Sequence, residues 1–326
     1  MIRAVLTIWC NTKFAEPIMD RLRGALAPHR LVVASAQQAS NLVGSDRDSA
    51  LAEADVAFGQ PDPDQVLELP RVKWIHLTTA GYTRYDNAVF RKGLQSRGGM
   101  LTNSSDVYSE PCAQHILAMM LGLARQLPTA LLDQHGPRAW PYLPMRSTSH
   151  LLLGQTAIIY GYGAIARRLV ELLHPFRMSV VGVRRNPRGD ESIRVVTVDD
   201  ADTLVPQADH VINILPASHE TENFFNARRL AMLKPSAIYY SVGRGSTTDQ
   251  EALRAALEQK RFAAAYLDVT TPEPLPPQDA LWNTPNCHIT PHTAGGHTSE
   301  FDRLADHFLA NLKRFEAREQ LADRVF

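Results

Sequence analysis

The chain has 326 residues, enough for about two domains that each bury a core. Hydrophobic residues make up 44% and charged residues 21%, and the formal net charge is zero, so no long-range field favours nucleic acid or an anionic membrane. No apolar run approaches a membrane span, the opening MIRAVLTIWC reads as a strand rather than a signal peptide, and Cys10, Cys112 and Cys287 are widely separated without metal-ligand spacing, as expected of reduced thiols in a cytoplasm.

The first part of the chain predicts strands at Ile2–Ile8, Arg30–Ala34, Val56–Phe58, Val72–Leu77 and Met100–Asn103. They alternate with helical stretches, the first over Phe14–Leu26, which predicts a small parallel α/β unit. The loop Thr78–Tyr82 follows one of these strands. In open parallel sheets, ligands bind beyond the carboxyl ends of strands, so its backbone amides are a candidate substrate contact; the plainer alternative is an ordinary turn. Pro111–Leu127 predicts a long apolar helix entered at Ser109-Glu110-Pro111, with proline near its first turn. Thr129–His150 is rich in Pro, Trp and Arg and has no clean period, which predicts a connecting arm able to make an intersubunit contact.

Leu151 to Arg185 reads as strand, glycine turn, helix, strand. Thr156–Tyr160 is apolar and β-branched, as a strand buried in a parallel sheet should be. From Ala164 to Leu173 the spacing is helical, with Ile165, Leu169 and Leu172 on one face. Gly161, Gly163 and Ala166 match the dinucleotide fingerprint G-x-G-x-x-G/A, whose turn aims backbone amides and the positive end of the helix dipole at a pyrophosphate. A similar turn without a ligand needs its glycines only for close packing. About 20 residues past the glycines, a carboxylate normally accepts from the adenosine ribose. Arg184 and Arg185 stand there, with Arg188 behind. A guanidinium grips a 2′-phosphate that a carboxylate would repel, so the expectation is NADP(H) over NAD(H), against a solvated basic loop that takes either.

Further strands are expected at Val195–Val198, Ala208–Leu215, Ala237–Val242, Ala263–Val269 and Cys287–Thr290, and helices at Ala227–Leu233, Asp249–Glu258 and Ser299–Glu319. This makes a second sheet of about six parallel strands. Three of its strand ends deliver Arg244, Glu273 and His292. The types suit hydride transfer to a 2-oxo acid. Arg holds a carboxylate bidentately, His donates a proton to the oxygen that becomes a hydroxyl, and Glu orients that imidazole and favours its protonated form. Each has a plainer alternative: Arg244 as a helix cap or surface ion pair, Glu273 as a linker carboxylate, His292 as a structural histidine.

The motifs GYGAIA at 161–166, VGRG at 242–245, AYLDVTTPEPLP at 265–276 and TPHTAGG at 290–296, with TNSSDVYSEPCAQHILAMMLGLAR at 102–125, resemble the D-isomer-specific 2-hydroxyacid dehydrogenase family. The resemblance spans nearly the whole chain. It implies a Rossmann-type doubly wound domain, 104–296, inserted in a smaller flavodoxin-like α/β domain made of 1–103 and 297–326. It implies an active site in the cleft between the domains, whose closure excludes water. In this family pattern Arg244 binds the substrate carboxylate and carbonyl, His292 is the acid/base and Glu273 its partner. Ala80 and Gly81 supply amides to the substrate carboxylate. Asp268 contacts the nicotinamide carboxamide. The remaining cofactor contacts implied are Tyr162, Ala164, Ile165, Leu215, Pro216, Thr221, Val242, Gly243 and Gly295, beside His292.

Several positions depart from the pattern. Ser241 stands where Asn is common, Gln114 where Glu is common, and Glu273 rather than Gln argues against the formate dehydrogenase branch. No segment matches a C-terminal regulatory domain, so serine feedback is not expected. The resulting expectation is a cytoplasmic, homodimeric, NADPH-dependent reductase of glyoxylate, hydroxypyruvate or a bulkier 2-oxo acid, without metal, nucleic-acid or membrane partner. The alternatives are an NADP(H)-sensing corepressor-like protein and a dehydrogenase of another small anion such as phosphite.

Overall fold

The computed structural model describes residues 5–39, 44 and 46–326. The chain divides into two compact units: Met1–Tyr108 with His297–Phe326, and Ser109–Gly296.

The first unit opens with β1 (Thr7–Thr12), α1 (Glu16–Leu26), β2 (Arg30–Gln38), β3 (Val56–Phe58), α2 (Pro63–Glu68), β4 (Trp74–His76), α3 (Ala88–Gln95) and β5 (Met100–Thr102). Residues 2–4 of the strand expected at Ile2–Ile8 lie outside the described residues, and the pairing runs on to Thr12 instead. All of β1 is buried, because a central parallel strand is covered on both faces. Ile8 and Cys10 join one apolar cluster with Met19, Leu22 and Leu26 of α1, and Trp9 joins the other with Ile75 and Leu101. The parallel order β2-β1-β3-β4-β5 is the flavodoxin-like winding.

Next comes α4 (Ser105–Ala124), which begins earlier than the helix expected from Pro111 and carries that proline inside it. Asn103 Oδ1 accepts from Ser105 N at 3.3 Å and from Ser105 Oγ at 3.0 Å, so the helix is started ahead of the proline, which removes only one later backbone bond. The stretch expected to be an aperiodic arm holds two short helices, α5 (Leu127–His135) and α6 (Tyr142–Thr148). Neither contains a buried residue, and a helix with no buried face shows no apolar period in sequence.

The second unit continues with β6 (Thr156–Tyr160), α7 (Ala164–Leu173), β7 (Ser179–Val183), β8 (Arg194–Val196), α8 (Val198–Leu204), β9 (His210–Asn213), α9 (Ala227–Leu230), β10 (Ile238–Ser241), α10 (Gln250–Glu258), β11 (Ala264–Leu267) and β12 (Cys287–Ile289). The sheet has seven strands, not six, in the order β12-β11-β10-β9-β6-β7-β8, and all pairs are parallel. From β6 the chain winds outward to β8, then crosses to β9 and winds the other way, the doubly wound Rossmann pattern with one strand added. Alternate residues of β6 face opposite cores: Ala157 and Ile159 toward one, Ile158 and Tyr160 toward the other. The buried stripe of α7 is Ala166, Leu169 and Leu173; the expected Ile165 and Leu172 flank it. The chain then returns to the first unit as α11 (Glu300–Ala317), whose Leu304, Ala305, Phe308 and Leu312 cover the Ile8 face. Among the described residues no single helix is long and apolar enough to cross a membrane.

Candidate active site

In the second unit the parallel sheet lines up its carboxyl-end loops. Gly161 leaves β6 at φ +97°, and a Cβ there would meet the Ile214 carbonyl oxygen at 2.8 Å, so the first glycine is required by both backbone and neighbour. Gly163 precedes α7 at φ −102°, and a Cβ there would meet nothing within 4 Å. Among the described residues no side chain caps α7, which leaves the amides of Ala164 and Ile165 at a bare positive helix end. The second glycine therefore borders open space beside unclaimed donors, the arrangement an anion at close backbone range needs.

The three chemistry-bearing side chains lie at the ends of adjacent strands β10, β11 and β12. His292 Nδ1 is 2.8 Å from Glu273 Oε2, and Glu273 Oε1 accepts from the Thr270 amide at 2.9 Å. Burial raises the Glu273 carboxyl, but the His292 and Thr270 hydrogen bonds and the Arg244 charge outweigh it and hold the group below its ordinary value. Burial pulls the Arg244 guanidinium down, opposed by Glu273. Arg244 Nη1 donates to its neighbour's carbonyl, Gly243 O, at 2.7 Å. His292 itself sits at φ +52°, a left-handed conformation uncommon for a side-chain-bearing residue.

Asp268 explains how that conformation is held. Its carboxylate accepts from Thr290 Oγ1, from the Thr293 amide at 2.9 Å and from the Ala294 amide at 2.9 Å, while the His292 amide donates to Asp268 O at 2.8 Å. The residue implied to touch the nicotinamide is thus also the anchor of the loop bearing His292. The Arg244 loop is supported from β9: Asn213 Nδ2 donates to Tyr239 Oη at 2.9 Å and Thr247 Oγ1 at 2.8 Å, and Thr247 Oγ1 donates to Arg244 O at 2.6 Å. Leu215, Pro216 and Thr221 form the loop after β9, where Thr221 Oγ1 donates to Pro216 O at 2.6 Å. Val242 and Gly243 directly follow β10, and Gly295 lies past β12.

Beyond β7, both arginines meet carboxylates that sequence reasoning missed. Arg184 Nη1 lies 3.2 Å from Glu191 Oε1, and Glu191 also accepts from the Arg188 and Gly189 amides at 2.8 Å each. Arg185, exposed, pairs with Glu220 on the loop after β9, itself exposed. Glu191 is only seven residues beyond Arg184, a local spacing that an ion-pair search over a turn would have found.

In the first unit the Thr78–Tyr82 loop is braced through its carbonyls. Tyr108 Oη donates to Thr78 O at 2.8 Å, the Ser104 amide to Thr79 O at 3.0 Å, and Asn103 Nδ2 to Ala80 O at 2.7 Å. The amides of Ala80 and Gly81 have no acceptor among the described residues, so the loop is held with its donors spare.

Residues 117–294 match the model of the D-isomer-specific 2-hydroxyacid dehydrogenase NAD-binding domain. The chain belongs to the D-isomer-specific 2-hydroxyacid dehydrogenase family. A glyoxylate/hydroxypyruvate reductase B of Citrobacter koseri is 30% identical over 73% of this chain and 73% of its own. A family member from Aeromonas salmonicida has a similar structure, at TM-score 0.77 and 28% identity over 99% of each chain. An NADPH-dependent glyoxylate/hydroxypyruvate reductase of Sinorhizobium meliloti, solved with NADP and malonate, superposes at TM-score 0.76 with 25% identity, covering 99% of this chain and 97% of its own.

As a 2-hydroxyacid dehydrogenase, the chain is an oxidoreductase acting on small 2-hydroxy or 2-oxo acids with a nicotinamide cofactor. The geometry fits that cofactor: the open space at Gly163 and the uncapped α7 accept a pyrophosphate, and the strand ends beyond carry the polar groups. The family's frequent Asn at position 241 is replaced by Ser241, and here Asn213 on the neighbouring strand supplies the buried amide that braces the Arg244 loop. Gln114 donates to Glu110 Oε1 at 2.6 Å, so that departure stays local to α4.

Proposed function

We propose that this chain reduces a 2-oxo acid of the glyoxylate or hydroxypyruvate class to the D-2-hydroxy acid, with NADPH as cofactor and His292 as acid/base. The observation that carries the proposal is the His292–Glu273 pair. With Nδ1 directed at Glu273 Oε2, Nε2 is the nitrogen left to hold a proton for substrate. When bound, the reduced nicotinamide supplies a hydride to C2 of the oxo acid. His292 delivers the Nε2 proton to the carbonyl oxygen, which becomes the hydroxyl. Glu273 keeps the ring oriented and stabilises the imidazolium before transfer. Arg244 holds the substrate carboxylate and polarises the carbonyl beside it. The spare amides of Ala80 and Gly81 are assigned to the same carboxylate, and Asp268 to the nicotinamide carboxamide.

The preference for NADPH rests on Arg184 and Arg185 at the end of β7, with no carboxylate at the β7 terminus itself. The loops carrying Leu215, Pro216, Thr221, Val242, Gly243 and Gly295 line the rest of the cofactor's path. Exposed Leu131, Leu132, Trp140 and Leu143 on the α5–α6 arm support a homodimer, and the three cysteines, which form no disulfide among the described residues, support a cytoplasmic setting.

The test is the initial rate of loss of reduced-nicotinamide absorbance, with NADPH and NADH each paired with glyoxylate, hydroxypyruvate, pyruvate and phenylpyruvate. Rapid NADPH-dependent turnover of a small 2-oxo acid is the expected result. Measurable NADPH binding without turnover of any of the four would count against the reductase reading.

A further inference from the structure

His115, on α4, has no role assigned above, yet its Nε2 lies 3.7 Å from Asp268 Oδ1 and contacts two hydroxyls that lead to the same carboxylate. Nε2 is in hydrogen-bond contact with Tyr266 Oη and lies 3.3 Å from Thr290 Oγ1. Tyr266 Oη contacts Thr290 Oγ1, and Thr290 Oγ1 contacts Asp268 Oδ1. Asp268 is buried, and its carboxylate can only accept when ionised. That fact sets every direction in the series. Thr290 must donate to Asp268, so its oxygen accepts from Tyr266. Tyr266 then donates to Thr290, so its oxygen accepts from His115. His115 must therefore carry its proton on Nε2.

We infer that His115 is a positioning residue for the reaction proposed above: through Tyr266 and Thr290, its Nε2–H sets the Asp268 carboxylate that anchors the loop bearing His292. The series runs in one direction toward a negative charge, an arrangement in which each bond polarises the next. Asp268 holds both the Thr293 and Ala294 amides, and His292 sits between Asp268 and those residues at φ +52°. A slack carboxylate would release that conformation and move the imidazole. Burial lowers the His115 pKa, opposed by Asp268, in keeping with a neutral ring.

The inference rests on the reductase reading for its kinetic consequence only, so the experiment has two arms. In the first, nitrogen-15 NMR of the full chain, labelled at histidine, reports the His115 tautomer; a protonated Nε2 is expected, and a protonated Nδ1 with bare Nε2 overturns the inference whatever the activity. In the second, kcat with the best 2-oxo acid and the NADPH dissociation constant are measured for His115→Leu, His115→Gln and Tyr266→Phe. The expected loss in kcat for His115→Leu is on the order of 10- to 100-fold, as displaced catalytic groups show, with the NADPH dissociation constant moving by no more than a few-fold. His115→Gln, whose amide N–H reaches the same place, restores most of it. Tyr266→Phe, which keeps the ring and removes the link, loses as much, and the double variant His115→Leu/Tyr266→Phe loses no more than either. Unchanged kcat in both single variants overturns the inference. Absence of turnover in the unsubstituted chain counts against the reductase reading alone and leaves the tautomer to decide the other.

Discussion

At the scale of single residues, the site depends on which atoms remain free after the protein has used the others. Glu273 occupies His292 Nδ1 and leaves Nε2 for a substrate. His292→Ala is expected to lower kcat by about 10²–10⁴-fold, the usual worth of a positioned acid/base, while NADPH binding measured by fluorescence titration stays within a few-fold of the original. Retained turnover would remove His292 from the mechanism. Arg184 and Arg185 present the opposite case, since each already meets a carboxylate, Glu191 or Glu220. A 2′-phosphate must draw on the remaining guanidinium donors. Replacing both with Ala should weaken NADPH by roughly 10- to 100-fold, as loss of charge-assisted bonds implies, and leave NADH nearly unchanged in calorimetric titration. Equal weakening of both cofactors would show that the pair does not read the phosphate.

At the scale of elements, the β6–α7 turn separates two roles that its glycines share in sequence. Gly161→Ala puts a Cβ at φ +97° against a backbone oxygen, a conformation that costs about 1–3 kcal/mol, and a lower melting temperature is expected. Gly163→Val places its side chain in open space at an accessible φ, so the fold should hold while cofactor binding falls more than tenfold. A Gly163→Val protein that melts normally and binds NADPH normally would remove the turn from the cofactor site. Both glycines were legible in the fingerprint, but which one serves packing and which one serves access was decided by Ile214 on a neighbouring segment. The α5 and α6 helices were not legible, because their exposed faces leave no apolar stripe to read.

At the scale of the whole molecule, each unit carries a buried neutral histidine. His210 at the start of β9 is placed with Nε2 2.7 Å from Gln155 Oε1 and Nδ1 3.1 Å from Tyr240 Oη, so the neutral ring satisfies both as donor and acceptor. Burial lowers its pKa from 6.5 to about 4. His76 in the first unit is buried against His307 and lies well below its ordinary value for the same reason. The unfolded chain takes up a proton at each as pH falls below 6.5, whereas folded His210 does so only near 4. Stability is therefore full above that window and declines through it, by about 3 kcal/mol for His210 alone. The urea midpoint should drop between pH 7 and 4.5, and His210→Gln should flatten part of that drop. A midpoint unmoved across the range in the unsubstituted chain would show that these histidines do not set its acid lability.

Read alone, the amino-acid order determined the family, the two parallel α/β units and the strand ends that carry Arg244, Glu273 and His292. Those features are local: β-branched runs, glycine turns and short motifs write themselves within a few residues of chain. The tertiary structure alone decided which partners those residues meet. The seventh strand, the early start of α4, the Glu191 and Glu220 counter-ions, the bracing of the Arg244 loop by Asn213 and the His115 series to Asp268 each depend on contacts specified by folded geometry, not by periodicity. The two hydrogen bonds joining α4 to Tyr266 of β11 and to Thr290 just past β12 each span more than 150 residues of sequence, and only the packed sheet brings their ends within reach.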